Sequence, residues 1–211
     1  MFFKSFVAAA LMVIGVSLAL NVQASSQTIL AFGDSLTAGY GVQMAESWPS
    51  VLERNLKASG QDIHMVNAGV SGDTTAGGRA RLGWSLQASD GVPDIVIVAL
   101  GGNDALRGLS TDQAQKNLDD ILFKLKRRDI KVLLAGIMAP PNLGVAYGKA
   151  LIKVYLDLAA KHDVALYPFI LDGVAADPAL NQPDGIHPNA EGHAIIARLI
   201  EPYVQALLDM E

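Results

Sequence analysis

The sequence predicts one three-layer α/β domain built on a parallel β-sheet, and two observations carry the prediction. From Thr28 onward, short apolar runs alternate with longer amphipathic ones, the pattern of a chain that lays strands in one sheet and returns over its faces as helices. One run, Ile95-Val96-Ile97-Val98-Ala99-Leu100, has no polar alternation at all. Only a strand covered on both faces tolerates that, so it belongs near the middle of the sheet.

Taken in order, the strand-like runs are Thr28 to Phe32, Ile63 to Asn67, Asp94 to Leu100, Lys131 to Ile137 and a short Ala165 to Tyr167. Helix-like segments fall between and after them: Trp48 to Ala58, Thr75 to Leu86, Thr111 to Arg128, Lys149 to His162 and Ala190 to Leu208. In the third of these, Ala114, Leu118, Ile121, Leu122 and Leu125 recur at helical spacing. Ser110 with Gln113 has the form of a capping box, and Lys126, Arg127 and Arg128 suit the negative end of the dipole. Pro202 is expected to kink or split the last helix. Met138 to Gly148, with Pro140, Pro141 and Tyr147, reads as a loop.

The first residues predict a secretory leader rather than part of the fold. Lys4 precedes an uncharged run from Ser5 to Leu20, and Val22-Gln23-Ala24 places small residues where signal peptidase reads them. Cleavage is expected after Ala24, leaving 25–211 as a single domain in the periplasm or secreted. The leader's apolar core falls short of the roughly 20 residues of a membrane span, and no further apolar run approaches that length, so no stable membrane insertion is expected after cleavage. A formal charge of −5 argues against nucleic acid as a partner, and the absence of cysteine removes thiol nucleophiles and thiolate metal sites. Any covalent catalysis then runs through Ser, Thr, Lys or a carboxylate.

Ligands of open α/β sheets bind beyond the carboxyl ends of the strands, so the polar signatures there matter most. After the first strand stands Gly33-Asp34-Ser35-Leu36, whose glycine allows a sharp turn that presents Ser35 at the sheet edge. After the second comes Asn67-Ala68-Gly69-Val70-Ser71-Gly72-Asp73-Thr74-Thr75, where Gly72 can turn its N–H toward a ligand and Thr74 or Asp73 can cap the next helix. Its Gly69-Val70-Ser71-Gly72-Asp73 lacks the final glycine of a nucleophile elbow, so Ser71 is not taken as the nucleophile. The third strand ends in Leu100-Gly101-Gly102-Asn103-Asp104, where the Asn103 amide can donate to an oxyanion, while Asp104 is expected only to cap or brace the loop. Near the C-terminus, Pro183-Asp184-Gly185-Ile186-His187-Pro188-Asn189 forms a turn that can bring the Asp184 carboxylate to one ring nitrogen of His187 and leave the other for Ser35. His193 reads as a surface or packing residue of the last helix.

Those four segments, in this order from Phe32 to Asn189, resemble the blocks of the SGNH, or GDSL, hydrolase family, and most resemble its compact exported bacterial branch of thioesterase I, lysophospholipase and arylesterase type. The resemblance implies a flavodoxin-like three-layer sandwich with Ser35 as nucleophile, His187 as general base and then acid, and Asp184 orienting it. It further implies an oxyanion hole made by the Ser35 and Gly72 N–H groups and the Asn103 amide, with a small-molecule acyl ester or thioester as substrate and no metal or cofactor. A monomer is expected. Leu106, Leu109, Met138, Pro140 and Tyr147 are the expected acyl-binding wall. Two other functions fit part of the pattern: a carbohydrate O-acetyl esterase, with Trp48 or Trp84 as a sugar platform, and a non-catalytic periplasmic module binding anions at the glycine-rich strand ends.

Overall fold

In a computed structural model that describes residues 26–89 and 91–210, the five strands are β1 (Gln27–Gly33), β2 (Ile63–Gly69), β3 (Ile95–Ala99), β4 (Lys131–Ala135) and β5 (Ala165–Tyr167). All neighbouring pairs are parallel, in the order β2-β1-β3-β4-β5. The unalternated run is β3, which pairs on both edges and is fully buried. The predicted leader, with its cleavage point after Ala24, lies outside the described residues.

The helices are α1 (Ser35–Ala38), α2 (Trp48–Ala58), α3 (Thr75–Gln87), α4 (Gly102–Leu106), α5 (Thr111–Lys126), α6 (Gly144–His162) and α7 (Ala190–Leu208). α2 packs on α7, while α5 packs on both α3 and α6, so the two groups close the two faces of the sheet. Ile29 to Phe32, Ile95 to Leu100 and Leu133 to Ala135 fill the space between them. The chain reverses direction across the sheet between β1 and β3, and in this strand order that switch point is where a crevice opens beyond the strand ends.

Several local expectations need correction. α7 runs through Pro202 without a break. Ile200 and Val204 are fully buried on either side of the exposed proline, so packing holds both halves in line despite the missing N–H. Ser110 is the N-cap of α5 but makes no side-chain cap bond, and the Gln113 amide reaches forward to Asn117 instead. α6 begins at Gly144, so the segment from Met138 is irregular only as far as Pro140, followed by a 3₁₀ turn over Pro141–Leu143. Gly144 and Gly148 have low helix propensity. The helix through them is carried by the burial of Leu151, Val154, Tyr155 and Leu158 further along. Of the two roles expected for His193, surface or packing, it takes packing: it is 1% exposed, and its Nδ1 accepts the Trp48 N–H at 3.2 Å across the α2–α7 contact. Burial brings its pKa down to about 4.

Candidate active site

Every strand end singled out in the sequence opens onto one end of the sheet, and these ends depend on glycine geometry. A Cβ at Gly69 would stand 2.2 Å from the Ala38 N, so only glycine lets β2 end against the α1 turn. Gly101 has φ +120°, and a Cβ there would lie 2.2 Å from the Tyr155 hydroxyl, which donates to the Leu100 carbonyl. Helix α4 therefore starts close under the sheet edge and brings Asn103 inward.

Ser35 is the first residue of α1, separated from the end of β1 by one residue. Asp34 is the N-cap, its Oδ1 accepting the Leu36 N–H at 3.0 Å. His187 comes from the turn between β5 and α7, 152 positions along the chain, and its Nε2 lies 2.9 Å from Ser35 Oγ. Its Nδ1 lies 2.7 Å from Asp184 Oδ2. Because a carboxylate only accepts, Nδ1 carries the proton and Nε2 is the acceptor for the serine hydroxyl. Asp184 Oδ1 also accepts the Ile186 and His187 N–H groups at 3.0 Å each, around Gly185 with φ +73°. The bond from His187 and these two amides bring the Asp184 pKa down to about 2. Tyr40 lies against the imidazole with ring centroids 4.7 Å apart, and the Gln182 amide ties the Tyr40 carbonyl to that of Pro188.

The Asn103 amide donates to the Asp73 carbonyl at 2.9 Å and makes a longer contact of 3.3 Å with Asp34 Oδ2. Asp34 is 1% exposed, and its desolvation outweighs these donors and raises its pKa to about 6. Gly72 takes φ +85° at the third position of a turn closed by the Asp73 N–H on the Val70 carbonyl, a position that type II turns reserve for glycine. Thr74 caps α3 through the Gly77 N–H. Asp104 is a brace: its carboxylate accepts the N–H and hydroxyl of Thr75, whose oxygen also takes the Asn117 amide.

Beside Ser35 and His187 opens a cleft of about 270 Å³. Of the expected acyl wall, Leu106, Met138 and Pro140 line it. Leu109 and Tyr147 do not; the Tyr147 hydroxyl donates to the Leu109 carbonyl instead, at 2.8 Å. The correction follows from the helical start of α6, which carries Tyr147 away on a fixed backbone. Ile137, Phe169, Leu171, Ala175 and Ala176 are among the other apolar residues that line it. The sequence does not mark the last four, because the stretch after β5 has no periodicity and its place beside Ser35 is set by the sheet order. Neither tryptophan lines the cleft: Trp48 is buried in the core, and Trp84 is exposed on α3. Among the described residues no three His, Asp or Glu side chains converge as a metal site, and no helix is long and apolar enough to cross a membrane.

Residues 31–195 match the model of the GDSL-like lipase/acylhydrolase family. The chain is 41% identical over 189 residues to an esterase TesA of Pseudomonas aeruginosa, covering 90% of this chain and 93% of that protein. It is 38% identical over 186 residues to a thioesterase 1/protease 1/lysophospholipase L1 of Escherichia coli strain K12, covering 88% and 87% respectively. The crystal structure of the psychrotrophic esterase EstA from a Pseudoalteromonas species, inhibited by monoethylphosphonate, superposes with a TM-score of 0.82 at 31% identity, over 88% of this chain and 100% of that one. With a family match over most of its length, relatives of this identity and the sheet order described above, the chain is a hydrolase that belongs to the GDSL-like lipase/acylhydrolase family.

Proposed function

We propose that this chain hydrolyses carboxylic esters and thioesters with apolar acyl groups through an acyl-enzyme on Ser35. The observation that carries the reading is the continuous relay from Ser35 Oγ through His187 to Asp184, at 2.9 and 2.7 Å. In this reading His187 Nε2 takes the hydroxyl proton as Oγ attacks the carbonyl carbon. The negative charge on the former carbonyl oxygen is met by the Ser35 and Gly72 N–H groups and the Asn103 amide. Collapse of the tetrahedral intermediate breaks the bond to the alkoxy or thio group, which leaves with the proton from His187. Water then attacks the acyl-enzyme, gives its proton to His187, and releases the acid as that proton returns to Ser35. Asp184 stays ionised throughout, as its low pKa requires.

The lining favours the substrate class. Apart from Asp34 and His187, the side chains around the cleft are uncharged and mostly apolar, which suits an acyl chain or an aryl group better than a sugar ring or a polyanion. The relatives named esterase and thioesterase/lysophospholipase support the same reading. A carbohydrate O-acetyl esterase would need a stacking platform, which neither tryptophan supplies here. A non-catalytic anion-binding module would have no use for the relay. The same reading includes export behind a leader cleaved after Ala24, which intact mass of the purified protein would check.

The test is a fluorophosphonate probe with peptide mapping, run on the wild type, Ser35→Ala and His187→Ala, beside hydrolysis of a chain-length series of esters and thioesters. Labelling at Ser35 that disappears in the first variant and falls sharply in the second is the expected result. Labelling that survives without His187, or ester turnover that survives Ser35→Ala, would overturn the mechanism.

A further inference from the structure

Arg81 lies on the second turn of α3 and belongs to none of the four motif segments, yet its guanidinium reaches two of them. Nε bonds Asp73 Oδ2, Nη2 donates to the Gly33 carbonyl at 2.8 Å and Nη1 to Ser85 Oγ at 2.9 Å. The group also lies over the Phe32 ring, 4.3 Å from its centroid. The Gly33 carbonyl accepts a second hydrogen bond, from the Val70 N–H at 3.0 Å. A closed ring of contacts results. It runs from Gly33 to Val70, through the turn that carries Gly72 to Asp73, from the Asp73 carboxylate to Arg81, and back to Gly33. The Asp73 carbonyl then holds the Asn103 amide.

We infer that Arg81 is a positioning residue for the oxyanion hole: one guanidinium locks together the turn before Ser35, the Gly72 turn and, through Asp73, the Asn103 amide. The inference rests on the function proposed above. Each of the three proposed donors comes from a different strand end, and among the described residues their spacing is set by this ring together with the Asn103 contact to Asp34, the Arg107 bond to the Gly72 carbonyl and the Asp104 bonds to Thr75. An oxyanion hole works only if its donors stand in place before charge develops, so the element that fixes their spacing acts on turnover and not on binding. Arginine suits the task because its planar fork satisfies several acceptors in fixed directions while stacking on an aromatic ring. Lysine offers one point charge and cannot hold the ring of contacts closed.

The experiment compares wild type, Arg81→Lys, Arg81→Ala, Asn103→Ala and the Arg81→Ala/Asn103→Ala double variant for kcat, KM and melting temperature. Fluorophosphonate labelling of the wild type is the control. Arg81→Lys keeps the positive charge and the length of the side chain's methylene stem, so it is expected to fold, with its kcat lowered roughly tenfold or more and KM within about threefold, as expected when catalytic geometry is displaced from a distance. Arg81→Ala is expected to lose up to about 10²-fold in kcat, and millimolar guanidinium should recover part of it. In the Asn103→Ala background the same change should cost much less than in the wild type, because the two residues serve one structure. Arg81→Lys with wild-type kcat, or a double variant whose loss is the full product of the single losses, would overturn the inference. If the wild type labels at Ser35 while the Arg81 variants keep their kcat, only the positioning role falls. If the wild type fails to label at Ser35, the proposed function falls with it.

Discussion

On the strand-end side of the cleft, Asp34, Asp73 and Asn103 are held to one another, to Arg81 and to backbone amides, and each makes at least two polar contacts. On the other side, Ile137, Pro140, Phe169 and Leu171 line the cleft with no hydrogen-bonding side-chain atoms, and Met138 and Leu106 stand about half exposed at 46% and 51%. The polar side fixes positions to fractions of an ångström because every displacement breaks a bond. The apolar side confers affinity that depends on area and tolerates change of shape. In the proposed function, one side therefore sets the rate and the other sets which substrate is bound.

The largest expected effect is on the polar side. Asn103→Ala should lower kcat by about 10²- to 10³-fold with little change in KM, the loss seen when one oxyanion donor is removed from another serine hydrolase. Steady-state kinetics on a short-chain ester reads it, and an unchanged kcat would take Asn103 out of the mechanism.

A second prediction uses pH. Asp34 ionises near 6 in the folded protein against an ordinary value of 3.8, so the native state holds its proton more tightly than the unfolded chain. The associated stability is complete below the unfolded value and is lost as pH rises through about 6, amounting to about 3 kcal/mol. Asp34→Asn keeps an oxygen for the Leu36 N–H and cannot ionise. Between about pH 4 and pH 7 its stability should rise relative to wild type by up to that amount, measured by urea unfolding. Parallel pH curves for the two proteins would mean that Asp34 is not desolvated as the geometry indicates. His193 has the opposite sign: neutral and buried with a pKa of about 4 against 6.5, it contributes stability that is complete above 6.5 and is lost as pH falls toward 4.

The smallest effect belongs to the apolar side. Met138→Ala or Leu106→Ala should change KM for a long-chain ester by a few-fold, on the order of 1 kcal/mol for partly exposed side chains, with kcat for a short ester unaffected. A large fall in short-ester kcat would show that the two sides are not separable.

The legible part of this site was local. Ser35 is marked by a glycine turn at a strand end, and Asp184 and His187 by a Gly/Pro turn that leaves the chain little choice but to fold the carboxylate onto the ring. Backbone stereochemistry fixes such features within a few residues, so they can be read in one dimension. Helix limits were legible where propensity and packing agree, as in Trp48–Ala58. They failed at Gly144, where propensity is poor and burial decides, and that failure misplaced Tyr147.

What the sequence by itself determined was the alternation of strands and helices, the buried β3 and the short polar turns that present Ser35, Asp184 and His187. The tertiary structure alone decided the strand order that brings β1 beside β3, the apolar residues after β5 that line the cleft, and the ring of contacts through Arg81. It also decided which carboxylate is desolvated: Asp34 is raised to about 6 and Asp184 lowered to about 2. The physical reason is range. Turn chemistry acts between residues close in sequence, whereas desolvation and packing depend on what folds over a residue from far along the chain.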